Sequence, residues 1–89
     1  MSHGNTTTNH SKIRRWAEAR GGRPARVKGT GRKEDDPGLL RLDFGEADEG
    51  LEEISWEEFF DKFEERKLAL LYEEDTNSRF NKLIERKKS

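Results

Sequence analysis

An α+β fold follows from three features of this 89-residue chain: two amphipathic helical stretches, several short alternating apolar and polar segments, and apolar side chains concentrated between positions 39 and 84. The expected order is α-β-β-α-β-β, with the two helices packed on one face of a small mixed sheet. Leu, Ile, Val and Phe occupy 17 positions and the net charge is −1, so the chain is very polar without the charge excess of a disordered one. Full burial stabilises by about 1.5–3 kcal/mol per large apolar side chain, which offsets the ordering entropy of most of the residues but not all. The expected organisation is a disordered tail over 1–8, one α+β domain over 9–86 and a frayed end over 87–89.

The first helix is expected from Asn9 or Ser11, both suitable N-caps, to Arg20, with Gly21 and Gly22 as the stop. Ile13, Trp16, Ala17 and Arg20 share one face, and Lys12, Arg14, Arg15 and Glu18 the other. Pro24 forbids a continued helix, and 25–28 reads as a short edge strand. A loop rich in Gly and charge covers 29–38. Leu40, Leu42 and Phe44 then alternate with Leu39, Arg41 and Asp43, as in a strand with one buried face. A hairpin of 25–28 with 39–44 is the economical pairing, followed by a polar connection over 45–50.

The second helix carries the clearest local signals. Ser55 with Glu58 three residues on makes a capping box, and Ile54 and Phe59 are spaced for a hydrophobic staple. Trp56, Phe59, Phe60 and Phe63 form one apolar stripe, which places Trp56 in the core. At Leu68 the period changes from 3.6 to 2, so 68–72 reads as a strand and 73–78 as a turn. Over 79–86, Phe80, Leu83 and Ile84 fit a helical stripe, while Phe80 and Ile84 also fit a strand face. A closing strand hairpinned to 68–72 is expected, with a short helix as the alternative.

Without cysteine the chain has no disulfide and no thiolate metal site. It has no apolar run of the roughly eighteen residues that a membrane helix needs, and its N-terminus lacks the apolar stretch of a signal peptide. A cytoplasmic protein without membrane contact is expected. His3 and His10 have no partner histidine at ligand spacing, so no metal and no cofactor is expected. The acids are too many for any pair to single itself out as catalytic, and Glu52, Glu53, Glu57, Glu58 and Asp61 read as capping and solubilising charges.

Charge is segregated along the chain. Residues 1–33 hold nine Lys or Arg and one acid, residues 34–75 hold seventeen acids and four bases, and residues 76–89 are basic again. In one reading the basic ends fold against the acidic middle and neutralise it. In the other, the tract 12–33 leaves a basic face open to an anionic partner. Its candidate contact residues are Arg14, Arg15, Arg23, Arg26, Lys28 and Arg32, whose charges would neutralise phosphates in a salt-dependent way. Trp16 could either stack on a base or anchor the first helix, but not both. The segment 29–32 has neither the lysine nor the glycine spacing of a phosphate loop.

The blocks 13–30, 39–44, 51–60, 68–72 and 78–83, in that order, resemble a family of short bacterial proteins of unassigned function. Members of that family carry the label 1,4-alpha-glucan branching enzyme. The resemblance implies a strand-like last block and a link to glucan or glycogen metabolism. Branching enzymes themselves are built on a (β/α)₈ barrel of at least about 200 residues, so that link is expected to be accessory. The function expected from the residues is a non-enzymatic binding or adaptor module, whose partner is a protein or a nucleic acid.

Overall fold

The structure, a computed structural model, describes residues 4–28, 39–45 and 50–86. Its elements are β1 (Asn5–Thr7), α1 (His10–Ala19), β2 (Arg23–Val27), β3 (Leu40–Asp43), β4 (Leu51–Glu53), α2 (Trp56–Glu65), β5 (Leu68–Tyr72) and β6 (Asn81–Glu85). The expected α+β domain with two helices is present. Its strands form two separate antiparallel sheets, ordered β1-β5-β6 and β3-β2-β4, rather than one mixed sheet.

Two strands that the sequence did not announce explain the division. Asn5–Thr7 falls within the segment expected to be a disordered tail, yet it pairs with β5 from Asn5 opposite Tyr72 to Thr7 opposite Leu70. Leu51–Glu53, expected as the approach to the second helix, pairs with β2 from Ala25 opposite Glu53 to Val27 opposite Leu51. Each hairpin therefore finds a third strand of its own, and no ladder joins the two sheets among the described residues. Residues 1–3 and 87–89 lie outside the described residues.

The strand expected at the edge over 25–28 is the centre of its sheet, with β3 on one side and β4 on the other. Pro24 is tolerated there because β4 pairs only with Ala25 to Val27. On that side Pro24 uses only its carbonyl, which accepts the Ile54 amide at 3.0 Å. The expected pairing of β2 with β3 is present, from Arg23 opposite Asp43 to Arg26 opposite Leu40. The last segment is a strand and not a helix: β6 pairs with β5 from Leu68 opposite Glu85 to Tyr72 opposite Asn81.

Both helices start as their sequences require. The Asn9 side chain accepts the Lys12 amide at 3.0 Å, and Ser55 Oγ accepts the Glu58 amide at 3.0 Å. Their exits differ. After α1 the chain turns through Gly21, with φ at 75°, whereas after α2 the same left-handed turn falls on Lys67, with φ at 53°. Gly22 answers to packing instead, since a Cβ there would lie 2.7 Å from the Phe44 ring.

The core lies between the helices and the two sheets. Ile13, Phe59, Phe63 and Leu70 are completely buried, joined by Trp16, Leu40, Leu42 and Tyr72. Within the α2 stripe, Phe59 and Phe63 point inward, while Trp56 and Phe60 are half-buried at its flank. Trp56 is thus at the margin of the core, not inside it as its place in the stripe implied.

Candidate functional site

The basic tract is spread over α1 and β2, and the fold sets carboxylates beside half of its six candidate residues. Arg26 stands opposite Glu52 in the β2–β4 register, and its Nε lies 2.5 Å from Glu52 Oε1. Arg23 reaches Glu53, which stands opposite Ala25, at 3.3 Å. Arg14 pairs with Glu18 one helical turn on at 3.1 Å. Arg15 and Lys28 are exposed, and Lys28 is held through its backbone, whose amide donates to the Gly50 carbonyl at 2.8 Å. Arg32 lies outside the described residues, as does the loop 29–32. The candidate residues do not converge on one point; Arg23 and Arg26 each meet one acid from the acidic middle.

Trp16 and Arg20 form a different kind of cluster. Trp16 is only 7% exposed, and its Nε1 donates to the Glu73 carbonyl at 2.8 Å. It packs edge-on against Phe44 and Tyr72. Trp16 is therefore an anchor, and a ring held this way cannot stack on a base. Arg20 lies over the Trp16 ring at 4.3 Å and donates to the carbonyls of Trp16, Glu74, Asp75 and Ser78. This arginine on the apolar stripe of α1 closes the β5–β6 turn, which is why an apolar face carries a charge at that position.

His10, which has no partner histidine at ligand spacing, joins a third cluster. Its Nε2 lies 2.7 Å from Glu64 Oε2, and its ring stacks on Phe60 at 4.2 Å. Arg86 reaches the same carboxylate oxygen at 2.6 Å and donates from Nε to the Leu68 carbonyl. These contacts tie the start of α1 and the end of β6 to α2. The Arg86 guanidinium, and after it His10, holds the Glu64 carboxyl below its usual range. Among the described residues no group of three His, Cys, Asp or Glu side chains is placed to hold a metal ion.

Of the surface grooves among the described residues, two bear on the readings above. One is shallow and lies beside Trp56, with Glu18, Arg23, Glu53 and Ser55 on its walls. The other runs between the outer strands of the two sheets, with Leu40, Leu68 and Leu83 along it and Arg41, Arg66 and Lys82 as its charged groups. Leu39, 54% exposed, forms part of its wall, and Phe80, 49% exposed, immediately precedes its lining residue Asn81. These are the two exposed large apolar side chains among the described residues. The sequence held a trace of this groove in the paired leucines at 39 and 40, of which only one can face the core from a strand.

No protein-family model matches the chain, and neither a curated protein nor a solved structure does. No described helix is long and apolar enough to cross a membrane.

Proposed function

We propose that this chain is a non-enzymatic binding module of the cytoplasm, and that it docks a protein segment in the groove between β3 and β6. The observation that carries this reading is the exposure of Leu39 in a groove that also holds Arg41 and Lys82, with the exposed Phe80 one residue beyond its lining. Apolar side chains left in water beside charges are the ordinary make-up of a protein contact surface. The basic tract supports the reading from the other side, because Arg14, Arg23 and Arg26 already face carboxylates.

Nucleic-acid contact through the tract would rest on Arg15 and Lys28, with Arg14, Arg23 and Arg26 exchanging carboxylates for phosphates. Exposed ion pairs contribute only about 0–1 kcal/mol each, so that exchange is energetically open, and its mark is binding that collapses with salt. A second reading has one observation in its favour. Trp56 is half-buried on a groove with Glu18, Glu53 and Arg23, an aromatic face with polar groups of the kind that grips a sugar ring. That groove is where an accessory role in glucan metabolism would have its site.

One titration separates these readings. Isotopically labelled protein at low salt receives a mixed-sequence DNA duplex, a single-stranded RNA and a malto-oligosaccharide in turn. The protein-docking reading expects amide resonances unmoved by all three. Shifts over 14–28 that salt reverses would replace it with nucleic-acid contact, and shifts at Trp56 with the sugar alone would replace it with the glucan reading.

A further inference from the structure

We infer that the groove takes an acidic, extended peptide, added as a new strand along the free edge of β6; this rests on the docking reading above. β6 is an outer strand, so one of its sides has no strand partner among the described residues. The register settles which backbone groups face that side. Arg86, one residue beyond β6, donates its amide to the Lys67 carbonyl at 2.9 Å, continuing the ladder in which Glu85 stands opposite Leu68. In an antiparallel pair, residues that exchange hydrogen bonds alternate with residues that do not. Lys82 and Ile84 therefore bond inward to β5, and Asn81, Leu83 and Glu85 turn their amides and carbonyls outward.

The side chains at that edge define what would sit there. Its described lining residues include two exposed cations, Arg41 and Lys82. Between the cations lie Leu39, Leu40, Leu68 and Leu83. A strand sends alternate side chains to opposite faces. A peptide alternating acidic and apolar residues would set carboxylates toward Lys82 and Arg41 while covering the leucines. Phosphodiester chains match the charge but leave the leucines in water, so a peptide fits where a nucleic acid does not. The main-chain bonds of strand addition supply affinity, and the alternating side chains supply selectivity.

The test is a titration of the labelled full chain with two short capped peptides, one alternating Glu and Val, the other alternating Lys and Val. The acidic peptide is expected to move the amides of Asn81, Leu83 and Glu85, to slow their hydrogen exchange, and to weaken with salt. The same peptide with alternate amides N-methylated is expected not to bind. Charge reversal at two exposed rim residues, Arg41→Glu with Lys82→Glu, should weaken the acidic peptide by about tenfold, as loss of two surface ion pairs implies, and confer binding of the basic one. Dispersed spectra of the double variant confirm that it is folded. If the basic peptide binds the groove of the unmodified protein and the acidic one does not, this inference fails while the docking reading stands. If neither peptide moves the groove resonances, both fail.

Discussion

The two sheets of this small domain share one apolar core and differ in the polar contacts around it. The β1-β5-β6 sheet is built on a strand whose Ala69, Leu70 and Tyr72 are buried, and three polar side chains from elsewhere bond to backbone carbonyls around it: Trp16 to Glu73, Arg20 to the 74–78 turn, and Arg86 to Leu68. The β3-β2-β4 sheet buries Ala25, Leu40 and Leu42 and then adds cross-strand pairs of Arg23 with Glu53 and Arg26 with Glu52. Both sheets answer to burial; the first adds directed hydrogen bonds, the second exposed ion pairs that contribute only about 0–1 kcal/mol each. In a chain this polar, leucines still anchor both halves, and the segregated charge adds exposed pairs to the second without comparable energy.

The largest effect should come from the apolar side. Leu70→Ala removes a completely buried side chain from the central strand of its sheet and should cost about 2–5 kcal/mol, with no dependence on salt in a denaturant titration. An equal loss from an exposed residue such as Glu53 would break the contrast. Arg20→Met keeps the apolar stem but deletes the donors to four carbonyls. It should cost about 1–3 kcal/mol and raise amide exchange over 73–78 before it does so in β2.

Smaller effects sharpen the comparison. Lys67→Gly relieves a left-handed residue at the entrance to β5 and should raise stability by up to about 1 kcal/mol, read as a higher Tm. A double-mutant cycle on Arg26 and Glu52 should give a coupling of about 0–1 kcal/mol that vanishes in about 1 M salt, where the screening length is roughly 3 Å. For Glu64 the sign follows from its depressed pKa, set first by Arg86 and then by His10. The ionised carboxylate stabilises the folded state at every pH above the unfolded glutamate value, and that contribution is lost as pH falls through the lower folded value. Glu64 is exposed, so the effect is small; Glu64→Gln should remove this step from the acid limb of stability against pH.

Elements carried by local signals were legible in the chain. Ser55 and Glu58 announced α2, Asn9 and the Gly21-Gly22 pair bounded α1, and the change of period at Leu68 placed β5. The pairings of β2 with β3 and of β5 with β6 followed from short connections between alternating segments. Both β1 and β4 escaped, because three-residue strands made of Asn and Thr, or of Leu and two Glu, have no period to detect. The candidate site was less legible still. Arg23 and Arg26 are conspicuous in the tract 12–33, but Glu52 and Glu53, which meet them, are more than two dozen residues away along the chain.

What the sequence by itself determined is the class of fold, its two capped helices and the rule that its charges come in blocks. These depend on residues within a few positions of one another, where capping, periodicity and Pro or Gly act directly. Only the tertiary structure decided that the strands divide into two sheets, that the acidic middle pairs with the basic tract across β2 and β4, and that Leu39 and Phe80 remain in water near the edge of β6. Each of these depends on contacts between segments far apart in the chain, and an unpaired backbone edge accepts a distant strand as readily as a near one.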